Sequence, residues 1–314
     1  MRLAQRPLTP GWVAGSVRAR HLLARRLGRE QALALARSAS LEDGLALLAG
    51  SAYGRSVRAG MDLASAQRAV GEATLWHLRV LAGWVPPRAL EPVRALAAWF
   101  ELANIEDRLA YLAGGEPREP FALGGLATVW PRVAGAQSSA EVRAALVGSP
   151  WGDPGADDPA AIGLGLRFAW GRRVLGAIEE ADWAVGAMAL LVARELFLAG
   201  RTAESVAARR PLGLGSAWPS ASNVRALRDL LPPQAAWALH GVEEPADLWR
   251  GEVAWWKRVE LDGERLARAP HLGRATVIGC VVLLGVDAWR TVGALEAAAR
   301  GASERAMEAF GEIA

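Results

Sequence analysis

Histidine is the common general base and metal ligand near neutral pH, so His21, His77, His240 and His271 are the first residues to test for chemistry. They lie far apart. None has a second ligand three or four residues on, and no HExxH run occurs. They read as surface or hydrogen-bonded interior side chains. Gly163-Leu-Gly165 and Gly213-Leu-Gly215 lack the third glycine and the preceding strand of a dinucleotide turn. No Gly-Lys-Ser/Thr phosphate loop and no Gly-x-Ser-x-Gly elbow is present. Asp153, Asp157 and Asp158 share a Gly/Pro-rich stretch, but without the periodicity and closing glutamate of a calcium loop. A solvated loop is the simpler reading. The Asp157-Asp158 pair precedes a proline rather than lying on a helix, which argues against isoprenoid-type chemistry. No catalytic residue, cofactor site or metal site is assigned.

Two further groups invite a binding role. Trp249, Trp255 and Trp256, beside Arg250, Lys257 and Arg258, could stack on nucleic acid, anchor to a partner or meet lipid headgroups. Packing of large rings between alanine-rich helices is the favoured reading. Arg18, Arg20, Arg25, Arg26 and Arg29 form an arginine-rich start, read as a solvated face with an acidic protein surface as the alternative partner. A net charge of +3 gives no case for nucleic acid.

The stretch Trp99 to Gly115 is more telling. Glu101, Asn104, Arg108 and Leu112 share one helical face by three- and four-residue spacing, while Phe100, Leu109 and Leu112 supply apolar surface. Gly114-Gly115 is a C-terminal stop. The pattern is a polar seam where a helix docks on its neighbours.

The elements that position these residues are helical throughout. Hydrophobic residues make up 52% of the 314, with alanine and leucine dominant and only two Tyr, a composition that favours helix over strand. Helices are predicted over 11–27, from Ser40 to Leu48, Leu63 to Ala82, Leu90 to Ala113 and Ser139 to Val147, with short pieces around 125–134. A long pattern runs from Ile162 to Gly200. Further helices cover Ser222 to Leu231, Glu252 to Arg268 and Ala275 to Arg300. Ser40 with Asp43 gives a capped start, and Val85-Pro86-Pro87, the Gly/Pro-rich 148–159, 211–219 and Pro270 to Gly273 are breaks. Ser51-Ala-Tyr53-Gly54 marks a turn.

The lone Cys280 excludes an internal disulfide and reads as a buried thiol. Arg2, Arg6, Pro7 and Pro10 do not suit a signal peptide. The apolar windows Ala184 to Ala193 and Ala275 to Val286 fall short of the ~20 residues of a spanning helix. A cytoplasmic protein, peripheral to a membrane only through a partner, is the expectation.

A weak repeat accompanies the helices. Arg108-Leu-Ala-Tyr-Leu-Ala-Gly114 matches Arg194-Glu-Leu-Phe-Leu-Ala-Gly200 in register, and a later helix ends at Ala299-Arg300-Gly301 with Asp287 where Glu101 sits in the first copy. Three helical units are expected, over 1–115, 116–215 and 216–314. Arg194, Asp287 and Arg290 then extend the seam of Glu101, Asn104 and Arg108. Ala187 and Leu190 replace the acid and the asparagine in the second copy, and Arg290 replaces the asparagine in the third.

Taken together these segments resemble the central rotor-coupling subunit of the V/A-type rotary ATPases, the C-type or d-type family. Val13-Ala-Gly-Ser-Val17-Arg18, Leu22-Leu23 and Tyr53-Gly54 are similar to the family's opening. Glu101, Asn104 and Ile105 are similar to its acidic-x-x-Asn-Ile helix, with Arg108 displaced from the usual arginine. Gly124-Gly125-Leu126 and Arg258-Val-Glu260-Leu-Asp262 are similar to its later elements. The resemblance implies an all-α funnel of three similar units about a pseudo-threefold axis. It implies a non-catalytic rotor component, a socket between the central stalk (D- and F-type subunits) and the proteolipid rotor ring, transmitting torque for H⁺ or Na⁺ transport. It implies no cofactor, no nucleic acid, and membrane contact only through the ring. A free-standing all-α adaptor or scaffold is the alternative.

Overall fold

In the computed structural model, residues 10–301 and Gly311 are described; Arg2, Arg6 and Pro7 lie outside them. Every regular element among the described residues is helical. The α-helices are α1 (Pro10–Ala24), α2 (Gly28–Ala36), α3 (Leu41–Ala49), α4 (Leu63–Ala82), α5 (Leu90–Leu112), α6 (Trp130–Val133) and α7 (Ser139–Val147). They continue as α8 (Pro159–Ala177), α9 (Trp183–Phe197), α10 (Ala203–Ala207), α11 (Val224–Leu230), α12 (Pro233–Ala236), α13 (Leu248–Ala267) and α14 (Arg274–Arg300). The boundaries follow local chemistry. Ser40, Asp62, Ser138, Asp158, Thr202 and Asn223 each accept a backbone N–H at the start of a helix. Past α5, the N–H of Gly115 donates to Ala110 O at 2.9 Å while Gly114 takes φ 94°.

The long pattern from Ile162 to Gly200 is not one helix. α8 ends at Ile178, whose backbone is extended, and α9 begins after a turn at 179–182. Ile178 and Ala181 are both buried, so the chain turns to bury them and folds α9 back on α8. Alanine- and leucine-rich periodicity is the same on either side of such a turn, which is why it reads as continuous. The limits of α2 and α10 are hidden in the sequence for the same reason.

The chain divides into two compact units, one made of Met1–Val93 with Val259–Ala314 and the other of Arg94–Arg258. These limits differ from the division at 115 and 215 because α14 returns to the N-terminal helices. α14 packs on α1, α2, α3 and α4, and its Ala294 and Leu295 share a core with Leu35, Leu45, Leu48, Tyr53 and Val70. Two apolar clusters lie among the described residues of the second unit. One joins Leu102, Ile105 and Leu109 of α5 with Val129, Val142, Leu146, Trp151 and Ile162. The other joins Phe168, Met188 and Val192 with Trp218, Leu227 and Leu239.

α14 also corrects the reading of the Ala275 to Val286 window. The helix has 27 residues and contains an 18-residue window of mean hydropathy 1.6, long and apolar enough to cross a bilayer by length and composition. Of that window 72% is buried, so most of its apolar surface is core surface. Cys280 is buried here, and burial pushes its thiol up to about 11.

Gly279 sets how closely α14 approaches residues 263–267 of α13. A Cβ at Gly279 would lie 2.3 Å from Ala267 N and 2.6 Å from Gly263 O. Those obstructing atoms are backbone and cannot rotate away. Gly279→Ala is therefore expected to destabilise by about 3 kcal/mol, the upper end of overpacking costs, measured by urea unfolding; wild-type stability would refute this close approach.

Candidate functional site

α5 presents Glu101, Asn104 and Arg108 in line, and each side chain holds a different point of the segment that follows. Asn104 is fully buried and makes a two-point contact with Phe121: its Nδ2 donates to the Phe121 carbonyl at 3.0 Å, and the Phe121 N–H donates to its Oδ1 at 2.7 Å. The Phe121 ring meets Phe100 edge-on at 5.2 Å. Arg108 donates from Nε to Ala136 O at 3.0 Å, with Nη2 on the same oxygen, and its guanidinium lies over Tyr111.

Glu101, 1% exposed, sits at the start of α6. The backbone N–H groups of Thr128 and Val129 donate to its Oε1 at 2.7 Å, and that of Trp130 at 2.8 Å. The Thr128 hydroxyl donates to Oε2, and so does Trp151 Nε1 at 2.9 Å. Val129, at the N-cap position, has no side-chain cap of its own. The carboxylate of α5 supplies the missing acceptor.

In the other unit Asp287 on α14 does the same for α2. Leu27 N–H donates to Oδ2 at 3.0 Å and Gly28 N–H to Oδ1 at 2.7 Å. Leu27, at the N-cap position, also lacks a side-chain cap. Tyr53 Oη donates to Oδ2 at 2.8 Å, as Trp151 Nε1 does to Glu101. The aromatic residues are held by matching turns. Ser51 Oγ donates to Leu48 O at 2.7 Å and accepts Tyr53 N–H at 3.1 Å; Ser149 Oγ donates to Leu146 O at 2.7 Å and accepts Trp151 N–H at 3.1 Å. The spacing is constant through Ser40 and Ser138, Ser51 and Ser149, Tyr53 and Trp151, and Gly54 and Gly152. The glycines serve different ends: a Cβ at Gly54 would lie 2.0 Å from Ala49 O, whereas Gly152 has φ 73°.

The structure thus brings Glu101, Asn104 and Arg108 onto one seam. Asp287 and Arg290 stand together on α14, where Arg290 Nη2 pairs with Glu260 at 2.8 Å. Arg194 stands apart from the seam: its side chain is 63% exposed and its ion-pair partner among the described residues is Glu252, at 3.8 Å. On α9, Ala187 stands where the first copy has its acid; the helix's one acid, Glu195, is buried and pairs with Arg201 at 2.7 Å, and Leu212 N–H donates to Met188 Sδ at 3.0 Å. Sequence reasoning does not single out Thr128, Trp151 or Tyr53 as partners of the acids. For Tyr53 and Trp151 the signal is the shared Ser-x-aromatic-Gly string, Ser51–Gly54 and Ser149–Gly152, which only the contacts make meaningful; Thr128 has none.

The other candidates have structural duties. Arg143 pairs with Asp153 at 2.8 Å and Asp157 at 3.3 Å, and Asp158 caps α8. Gly163 lies inside α8 facing the Glu106 carboxylate. Trp255 donates from Nε1 to Trp183 O at 2.6 Å and stacks edge-on with Trp183 and Trp256, while Trp249 is exposed. No protein-family profile and no curated protein matches this chain.

Burial raises the Glu101 pKa, but the Thr128 hydroxyl and the N–H groups of Val129, Trp130 and Thr128 outweigh it and hold the carboxyl below its ordinary value. A depressed folded pKa contributes stability that is present above the unfolded value of about 4.3 and lost as pH falls through the folded one. Glu101→Gln is expected to lower stability at neutral pH, because an amide NH2 cannot accept from Trp151 Nε1 as Oε2 does, and to flatten the acid limb below about pH 4, because the titrating carboxyl is gone. Unfolding curves across pH 3–7 check this, and an unaltered acid limb would contradict it. Asn104→Ala is expected to cost about 1–3 kcal/mol, since it strands both backbone polar groups of Phe121. A thermal melt with no change would overturn that assignment.

Proposed function

We propose that this protein is a non-catalytic coupling component of a V/A-type rotary ATPase, set between the central stalk and the membrane rotor ring. One observation carries the reading: the same carboxylate device recurs on α5 and α14. In each case an acid on a long helix receives the start of a short helix and the polar tip of an aromatic in a Ser-x-aromatic-Gly turn. Repetition of one device on two long helices supports a reading of the chain as similar helical units, of which the funnel would hold three. Ring loops on one side and D- and F-type stalk subunits on the other are the expected partners. The chain would then work at the cytoplasmic face, with the ring as its link to the membrane.

Torque transmission asks for stiffness rather than a reacting group. Buried, multiply bonded seams resist relative motion of helix and segment better than apolar contact alone, since hydrogen-bond geometry is directional and packed interiors are incompressible.

The tagged chain, isolated from its native membranes, is expected to bring stalk and ring subunits with it. Deletion is expected to leave ATP hydrolysis in the membranes while abolishing ATP-driven ion uptake into vesicles. A rotary complex that lacks the chain and pumps at the normal rate would sink this proposal and favour the free-standing scaffold.

A further inference from the structure

The unit that contains α14 has an open groove of about 490 Å³, within the size range of small-molecule sites. Leu23, Ala267 and Leu283 supply aliphatic atoms to its lining, the last two mostly buried. Arg20, Arg26, Arg268 and Glu264 also line it. Arg268 and Glu264 neutralise each other at 2.9 Å. Among the described residues, neither Arg20 nor Arg26 pairs with a carboxylate; Arg20 only reaches the Ala269 carbonyl, at 3.4 Å. The nearby Asp287 is already held by Leu27, Gly28 and Tyr53. Among the described residues, the groove therefore keeps two guanidinium groups without a carboxylate partner beside aliphatic side chains. Both act on Cys280, one helical turn from Leu283, and draw its thiol pKa down against the effect of burial.

That lining selects its ligand by chemistry. Guanidinium groups donate hydrogen bonds and accept none, so the head group must be an acceptor, and an anion is favoured over a neutral one. No aromatic ring lines the groove to stack on a nucleobase. Leu23, Ala267 and Leu283 offer a saturated surface for a saturated chain.

We propose that this groove binds a single-chain amphiphilic anion, its carboxylate or phosphate held by Arg20 and Arg26 and its aliphatic stem laid on Leu23, Ala267 and Leu283. A free fatty acid and an acidic lipid present the same chemistry. The site stands independently of the rotary reading. Titration calorimetry of the full chain is the test, with decanoate and decyl phosphate below their micelle concentrations, and with acetate and decyltrimethylammonium as head-only and opposite-charge probes. A parallel arm measures flotation with phosphatidylglycerol vesicles. One decanoate or decyl phosphate is expected to bind saturably, at least about tenfold more tightly than acetate or the cationic amphiphile. Arg20→Gln with Arg26→Gln is expected to weaken binding by about the same factor. Binding of decanoate without flotation assigns the free acid as ligand, and flotation that the double variant loses assigns the lipid. Equal affinity for the cationic amphiphile, unchanged affinity in a folded double variant, or the absence of both saturable binding and flotation would overturn the proposal. If the double variant does not fold, the head-group comparison on the unaltered chain decides.

Discussion

A buried carboxylate that caps a helix far from it in sequence is the interaction on which both units depend. An anion removed from water is costly unless its oxygens are filled with donors. Glu101 and Asp287 meet that condition with backbone N–H groups at the starts of α6 and α2 and with the tips of Trp151 and Tyr53. The exchange is mutual. The short helices lack side-chain caps, so their orphan donors need an acceptor as much as the acids need donors. Neither half is stable in a buried site without the other, which makes the docking of segment on helix specific as well as favourable.

The consequences spread outward from these two points. In the second unit, Glu101 fixes where α6 begins, Asn104 fixes Phe121 ahead of it, and Arg108 fixes Ala136 after α6. With these three points held, the apolar side chains Val129, Val133, Val142 and Leu146 face Leu102, Ile105 and Leu109. In the first unit, Asp287 ties the start of α2 and the turn at Tyr53 to the middle of α14, and Leu295 and Ala294 close the same core two turns further on. Polar anchoring sets the register; burial of aliphatic surface supplies most of the driving force.

Much of the helical layout is legible in the residues. Leu63 to Ala82 and Ser139 to Val147 have the same limits in sequence and structure, because Asp62 and Ser138 cap them and glycine or proline follows. The seam of Glu101, Asn104 and Arg108 is visible from spacing alone. The features that stay hidden share one cause. The turn at Ile178, the separate α2 and the exposure of Arg194 depend on what lies opposite each residue, and alanine-rich periodicity is silent about that. The apolar window of α14 reads as too short because its buried face continues past Val286 through Asp287 and Arg290, charges that only find partners once the helix is packed.

By itself the sequence determined the all-helical class, most helix ends and the polar face of α5, because propensity, capping and glycine or proline stops act within a few residues. Tertiary structure alone decided which segment each acid receives, that α14 belongs with the N-terminal helices, and that Tyr53 and Trp151 play one part in two places. Leu27 and Val129 look like poor helix starts until a carboxylate arrives from another helix. The acceptor for a buried N–H is chosen by proximity in space, and no local pattern encodes that proximity.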